Sequence, residues 1–192
     1  MSNDQVYVSL EFTPNPNTLK YSVNRQILGR GAVNITTREA AAQRSPLAAR
    51  LFDVPGISGV MIGTDFVTIT KADSGDWDAV HKSASSIIEA HLTAGEPVVN
   101  EAALAEEDAR GKVPGAASDA ERRIREILDS EIRPAVAMDG GDISFDKYED
   151  GVVYLHMKGS CSGCPSSTMT LKMGIENRLR EVVPEIREVV AV

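Results

Sequence analysis

Two cysteines, Cys161 and Cys164, are the only thiols in 192 residues, and they stand two apart in Gly159-Ser160-Cys161-Ser162-Gly163-Cys164-Pro165. A C-x-x-C pair brings both sulfurs to one side of a tight loop, which suits joint metal ligation or a reversible intramolecular disulfide. It is a poor fold-stapling disulfide, because the loop it would close is too short to restrain the unfolded chain by much. The residue before a proline is biased away from helical angles. Cys164 is therefore expected at an N-cap with Pro165 at the first helical position, and with the amides of Ser166 and Ser167 turned toward its sulfur. A helix N-terminus favours thiolate, the form that soft metals bind.

Ligand number constrains the metal reading. Iron-sulfur clusters and structural tetrathiolate zinc usually take four protein ligands, and one chain offers two thiols. Two chains related by a two-fold axis, each giving Cys161 and Cys164, would complete such a site. His156 is the nearest other ligand type in sequence, but it has the opposite strand parity to Val153, Leu155 and Met157 and is expected at the surface. Three readings stay open on residues alone: a metal or cluster shared by two chains, a redox dithiol, and inert loop cysteines. The loop Asp139-Gly140-Gly141-Asp142 lacks EF-hand ligand spacing and reads as a turn. Met169 and Met173, at i and i+4, read as core packing, as do Trp77 and Phe66.

The elements that position this pair read as an αββαβ unit. Ser118-Asp119-Ala120-Glu121 is a capping-box pattern ahead of a stripe formed by Ile124, Ile127, Leu128 and Ile132. Pro134 limits or bends that helix. Ile143 to Tyr148 and Val152 to Met157 pair across Glu149-Asp150-Gly151, a helix bears Leu171, Ile175, Leu179 and Val182, and Ile186 to Val192 forms a last strand. Before it, Val6 to Phe12 and Leu19 to Val23 form a hairpin around Thr13-Pro14-Asn15-Pro16-Asn17-Thr18. A short helix starts at Ser45-Pro46, a second hairpin joins Val60–Ile62 to Phe66–Thr70, and a helix carries Trp77 to Leu92. The whole reads as α+β: a first domain over 1–93, a flexible linker over 94–117 and a second domain over 118–192.

Composition narrows the partners. A net charge of -8 and an excess of 28 acidic over 20 basic side chains argue against nucleic acid. No apolar run exceeds four residues, far short of the ~20 that span a bilayer, so no membrane is expected. The opening MSNDQVYVSLEF has neither secretory nor transit character, which leaves cytoplasm as the expected compartment.

Pro134 to Asp142 followed by Gly159 to Ser167 resembles the C-terminal domain of the NifU family. The stretches Thr13 to Asn17 and Ser45 to Lys71 are similar to the N-terminal domain of Nfu proteins. The resemblance covers nearly everything except the linker and implies an iron-sulfur cluster scaffold or carrier, not an enzyme. By the same resemblance a 4Fe-4S cluster bridges two chains through Cys161 and Cys164, and is passed to client apoproteins after supply by upstream cluster-assembly factors. The alternatives are a C-x-x-C dithiol-disulfide oxidoreductase and a structural zinc-bridged dimer.

Overall fold

A computed structural model of the chain describes residues 5–105, 118–162 and 165–192. The first unit opens with β1 (Val8–Phe12) and β2 (Thr18–Val23), joined by the turn that the prolines and asparagines dictate. β3 (Val33–Ile35), α1 (Arg38–Arg44), α2 (Pro46–Phe52), β4 (Ile57–Ile62), β5 (Phe66–Lys71) and α3 (Trp77–Thr93) follow. The strands make one antiparallel sheet in the order β1-β2-β5-β4-β3, with Tyr21 opposite Val67 and Val60 opposite Ile69. Helices α2 and α3 press Leu47, Leu51, Val80, Ala84 and Ile88 onto this sheet, each with no measurable exposure. The Ser45 hydroxyl caps α2 by accepting the Ala48 N–H at 2.9 Å, as the Ser-Pro pair predicts.

Part of the stretch read as linker is packed instead. Val98, Val99 and Leu104 lie against the first core, the Asn100 N–H donates to the Arg44 carbonyl at 2.8 Å, and the Ser45 hydroxyl donates to the Val98 carbonyl at 2.5 Å. The weak apolar period there hid a short return segment whose few apolar side chains fill the gap beside α2. Residues 106–117, the rest of the expected linker, lie outside the described residues.

The second unit begins with α4 (Asp119–Ile127), whose N-terminus carries both reciprocal bonds of the capping box between Ser118 and Glu121. The helix then widens into a π segment (Leu128–Ile132) and continues as α5 (Arg133–Met138). Pro134 explains the widening: its ring clashes with the carbonyl four residues back and offers no N–H, and one surplus residue in the turn relieves both. The Arg133 N–H accordingly reaches back to the Leu128 carbonyl, an i to i−5 bond.

Strands β6 (Gly141–Glu149) and β7 (Val152–Gly159) then pair antiparallel. Their two-residue turn, Asp150-Gly151, has φ of 50° and 81°, the left-handed geometry that such a hairpin requires. α6 (Pro165–Val182) crosses over to β8 (Glu188–Ala191), which adds parallel to β7 with Val153 opposite Val189. The α+β class and the αββαβ order are thus those anticipated. Ile124, Ile143, Val153, Leu155, Leu179 and Val189 are fully buried in this second core.

The two units meet along one seam. Ala32, Met61 and Phe66 of the first unit pack with Ala137 of α5, so Phe66 is indeed buried, but in the seam rather than in the first core.

Candidate functional site

Cys161 follows directly from the end of β7 and sits at the edge of the second core, 5% exposed. Its space exists because Gly141, the first residue of β6, has no side chain: a Cβ there would lie 2.2 Å from the Cys161 Sγ and 3.1 Å from the Val136 side chain. Gly141 pairs with Gly159 across the hairpin, and Gly159 itself has φ of 62°, where a Cβ would strike the Gly140 carbonyl at 2.6 Å. The glycines that read as a simple turn are therefore the mould of the cysteine loop. The signal available in sequence was Gly140-Gly141, facing Gly159 at equal distance from a predicted hairpin turn.

The loop is also braced by polar groups. The Ser160 hydroxyl donates to the Asp139 carbonyl at 2.6 Å, and the Ser160 N–H to the Gly140 carbonyl at 3.2 Å. Asp142, 6% exposed, is held by Arg133 through Nε at 2.9 Å and through the terminal nitrogen at 3.3 Å, a two-pronged ion pair that ties α5 to β6. In sequence Asp142 reads only as the end of a turn and Arg133 carries no signal; the ion pair that joins them shows only in the structure.

Burial pushes the Cys161 thiol up to about 11. The Ser160 side chain opposes that rise, and the carboxylates of Asp139 and Asp142 add to it. At neutral pH Cys161 is accordingly a protonated thiol. One side of the loop opens on a cavity of ≈ 460 Å³, lined by Pro14, Val136, Asp139, Ser160, Cys161 and the α6 residues Thr170 and Leu171. Pro14 belongs to the first unit, so both units wall the site.

Gly163 and Cys164 lie outside the described residues, and so does the expected N-cap role of Cys164; α6 begins at Pro165. His156 is exposed on β7, with Nδ1 3.2 Å from the Val192 carbonyl and Nε2 3.4 Å from Asp146, away from the cysteine loop. Among the described residues no three His, Cys, Asp or Glu side chains gather around a point that could hold a metal ion. Met169 and Met173 correct the core expectation: they are 66% and 60% exposed on α6. Their i, i+4 spacing reported a shared helix face, but the helix turns Ile175 and Leu179 inward in their stead.

Comparison with known proteins matches each unit to a described domain. Residues 8–95 match the family described as scaffold protein Nfu/NifU N terminal, and residues 124–190 match the NifU-like domain. The chain is 39% identical over 189 residues to the NFU1 iron-sulfur cluster scaffold homolog, mitochondrial, of Drosophila virilis, covering 98% of this chain and 62% of that protein. The corresponding protein of Drosophila persimilis is 39% identical over 184 residues, covering 96% and 64%. The chain thus spans a little over 60% of the length of these relatives. The solution structure of a NifU-like protein from Saccharomyces cerevisiae superposes with a TM-score of 0.46 and 27% identity, over 53% of this chain and 90% of that one.

These names correct the cytoplasmic expectation, since the relatives are mitochondrial proteins. That expectation rests on the composition of the opening residues alone. Among the described residues no helix is long and apolar enough to cross a membrane. The chain thus carries the two domains of Nfu-type iron-sulfur cluster scaffold proteins, the Nfu/NifU N-terminal one over 8–95 and the NifU-like one over 124–190.

Proposed function

We propose that the protein carries an iron-sulfur cluster as cargo: two chains share one 4Fe-4S cluster between their Cys161 and Cys164 loops and surrender it to client apoproteins. The observation that carries this reading is the half-complete ligand set, two thiols per chain where a cubane usually takes four. The cavity beside Cys161 supports it by giving the buried sulfur one open side. Ligands split evenly across a subunit seam let the cargo leave as the seam parts, by stepwise exchange of one thiolate for another. No substrate is chemically turned over. Upstream assembly factors supply the cluster, and the chain alternates between a loaded homodimer and the unloaded form.

The dithiol oxidoreductase reading is the weaker one, because the cysteines sit in an αββαβ unit rather than beside the βαβ pattern of thioredoxin-like dithiols. Anaerobic reconstitution with ferrous iron and sulfide, followed by native mass spectrometry, tests the proposal. The expected product has about four irons and four sulfides per two chains. About one zinc per two chains with no iron uptake would establish the structural-zinc dimer instead. A Cys161→Ser protein that keeps a stable cluster at full occupancy would overturn the ligand assignment.

A further inference from the structure

The turn between β1 and β2 lies on the cysteine loop of the other unit. Asn15, 4% exposed, donates from Nδ2 to the Ser162 carbonyl at 2.9 Å and to the Ser160 carbonyl at 3.3 Å, the carbonyls of the residues on either side of Cys161. One amide nitrogen carries two hydrogens, and both are spent on this loop. The remaining polar atom, Oδ1, accepts the Asn17 N–H at 3.0 Å and shapes the turn from within. Thr13 stiffens the same turn, its hydroxyl lying 2.9 Å from the Asn15 carbonyl and 2.8 Å from the Thr18 carbonyl.

Three neighbouring contacts make this seam a built surface rather than a chance approach. The Thr68 hydroxyl, on a residue 1% exposed, donates to the Gly140 carbonyl at 2.7 Å. Lys20 Nζ donates to the Met138 carbonyl at 3.2 Å. The Met61 side chain fills the space above Gly159, where a Cβ would meet its methyl carbon at 2.7 Å. Every one of these contacts falls on the two loops that cradle Cys161, at 138–141 and 159–162.

We propose that Asn15 is a latch. Its amide clasps the backbone on both sides of Cys161 and holds the cysteine loop closed against the first unit, and the thiol becomes available when that clasp lets go. The Ser160 carbonyl, on a residue 3% exposed, is shut off from water at the seam, so breaking that bond and exposing the loop are one event. For cargo exchange the latch rests on the carrier reading above: release sets how fast a cluster enters and leaves. For thiol exposure it stands on the seam alone.

Asn15→Asp tests it in the full chain. The substitution keeps an oxygen to accept the Asn17 N–H, preserving the turn, and replaces the donor by an anion facing two carbonyls. Asn15→Ser, whose hydroxyl also supports such a turn, removes the donors without adding charge. In metal-free protein with Cys164→Ser, so that Cys161 is the single thiol, alkylation by iodoacetamide is followed by mass spectrometry. Both variants are expected to react about ten-fold faster while remaining folded under the labelling conditions, the size of effect that losing a pair of hydrogen bonds has. An unchanged rate overturns the latch.

With both cysteines present, reconstituted Asn15→Asp should give up its iron to a chelator faster than the unsubstituted protein. Slower release or lower occupancy overturns the proposal and makes Asn15 a support of the loaded loop. If the unsubstituted protein takes up no cluster, the carrier reading fails while the alkylation comparison still decides the latch.

Discussion

The first unit places 22 described residues in one buried core beneath five strands, and none of them is a thiol; the second places 14 beneath three strands, and Cys161 is one of them. In the first unit, packing and chemistry are separate. In the second they share side chains, because the sulfur that would bind cargo also fills core volume between Val136 and Gly141. A small unit has little stability to spare, so a reactive group inside its core makes the site sensitive to every neighbouring change. The first unit supplies what the second lacks, a rigid surface against which the cysteine loop rests.

That contrast breaks most visibly at Gly141. Gly141→Ala forces a methyl into the Cys161 sulfur and should destabilise the second unit by about 3 kcal/mol while expelling the thiol. Denaturant unfolding should show it as an early transition that leaves Trp77 fluorescence, a reporter of the first unit, at its original midpoint. If the two transitions stay together and unshifted, core and site are not shared in the way the geometry indicates.

Alkaline pH sharpens the same comparison with a smaller effect. The Cys161 thiol is raised from its ordinary 9.0 to about 11 by burial, so the folded second unit favours the protonated form. Its stabilisation is complete below pH 9 and is lost as pH rises through 11, about 3 kcal/mol in all. Burial likewise raises Tyr21 in the first core from 10.0 to about 12, so that unit weakens only above pH 10. Unfolding midpoints recorded from pH 8 to 11 should therefore fall first in the second unit, and Cys161→Ala should abolish that early fall.

The smallest effect belongs to the first unit. Ser45→Ala removes the α2 cap and the bond to the Val98 carbonyl, lowering the first unit by about 1–2 kcal/mol. Alkylation of Cys161 should remain at its original rate, since no bond across the seam is touched; a faster rate would mean that the seam depends on first-core stability as well as on its own contacts.

Local signals carried much of the fold into the sequence. The hairpin return of β2, the strand parity of β7, the cap at Ser45, the capping box at Ser118 and the turn at Asp150-Gly151 all act over a few residues, and all are found where the pattern puts them. Two elements escaped. β3 is only three residues long, and α1, Arg-Glu-Ala-Ala-Ala-Gln-Arg, has alanines in place of an amphipathic stripe. At the site, the cysteines were legible as chemistry but not as placement. The thiol's burial depends on Gly141, twenty residues away, and the clasp by Asn15 joins groups 145 residues apart in the chain. No periodicity records contacts of that kind. Met169 and Met173 show the converse, a pattern that is real on the helix but names the wrong face.

The widened turn at Leu128–Ile132 has a consequence for how this chain tolerates change in length. A helix holding one residue more than its pitch requires is a counter set one notch forward, so every side chain after it is rotated by about 100° relative to an unbroken helix. Deleting Ser130 would reset the counter, swinging Val136 off the cavity wall and Arg133 away from Asp142, though neither residue had been altered. The same deletion would return the Pro134 ring to its clash. Insertions and losses between 128 and 132 are thus a way to misalign the cysteine's surroundings without touching the cysteine.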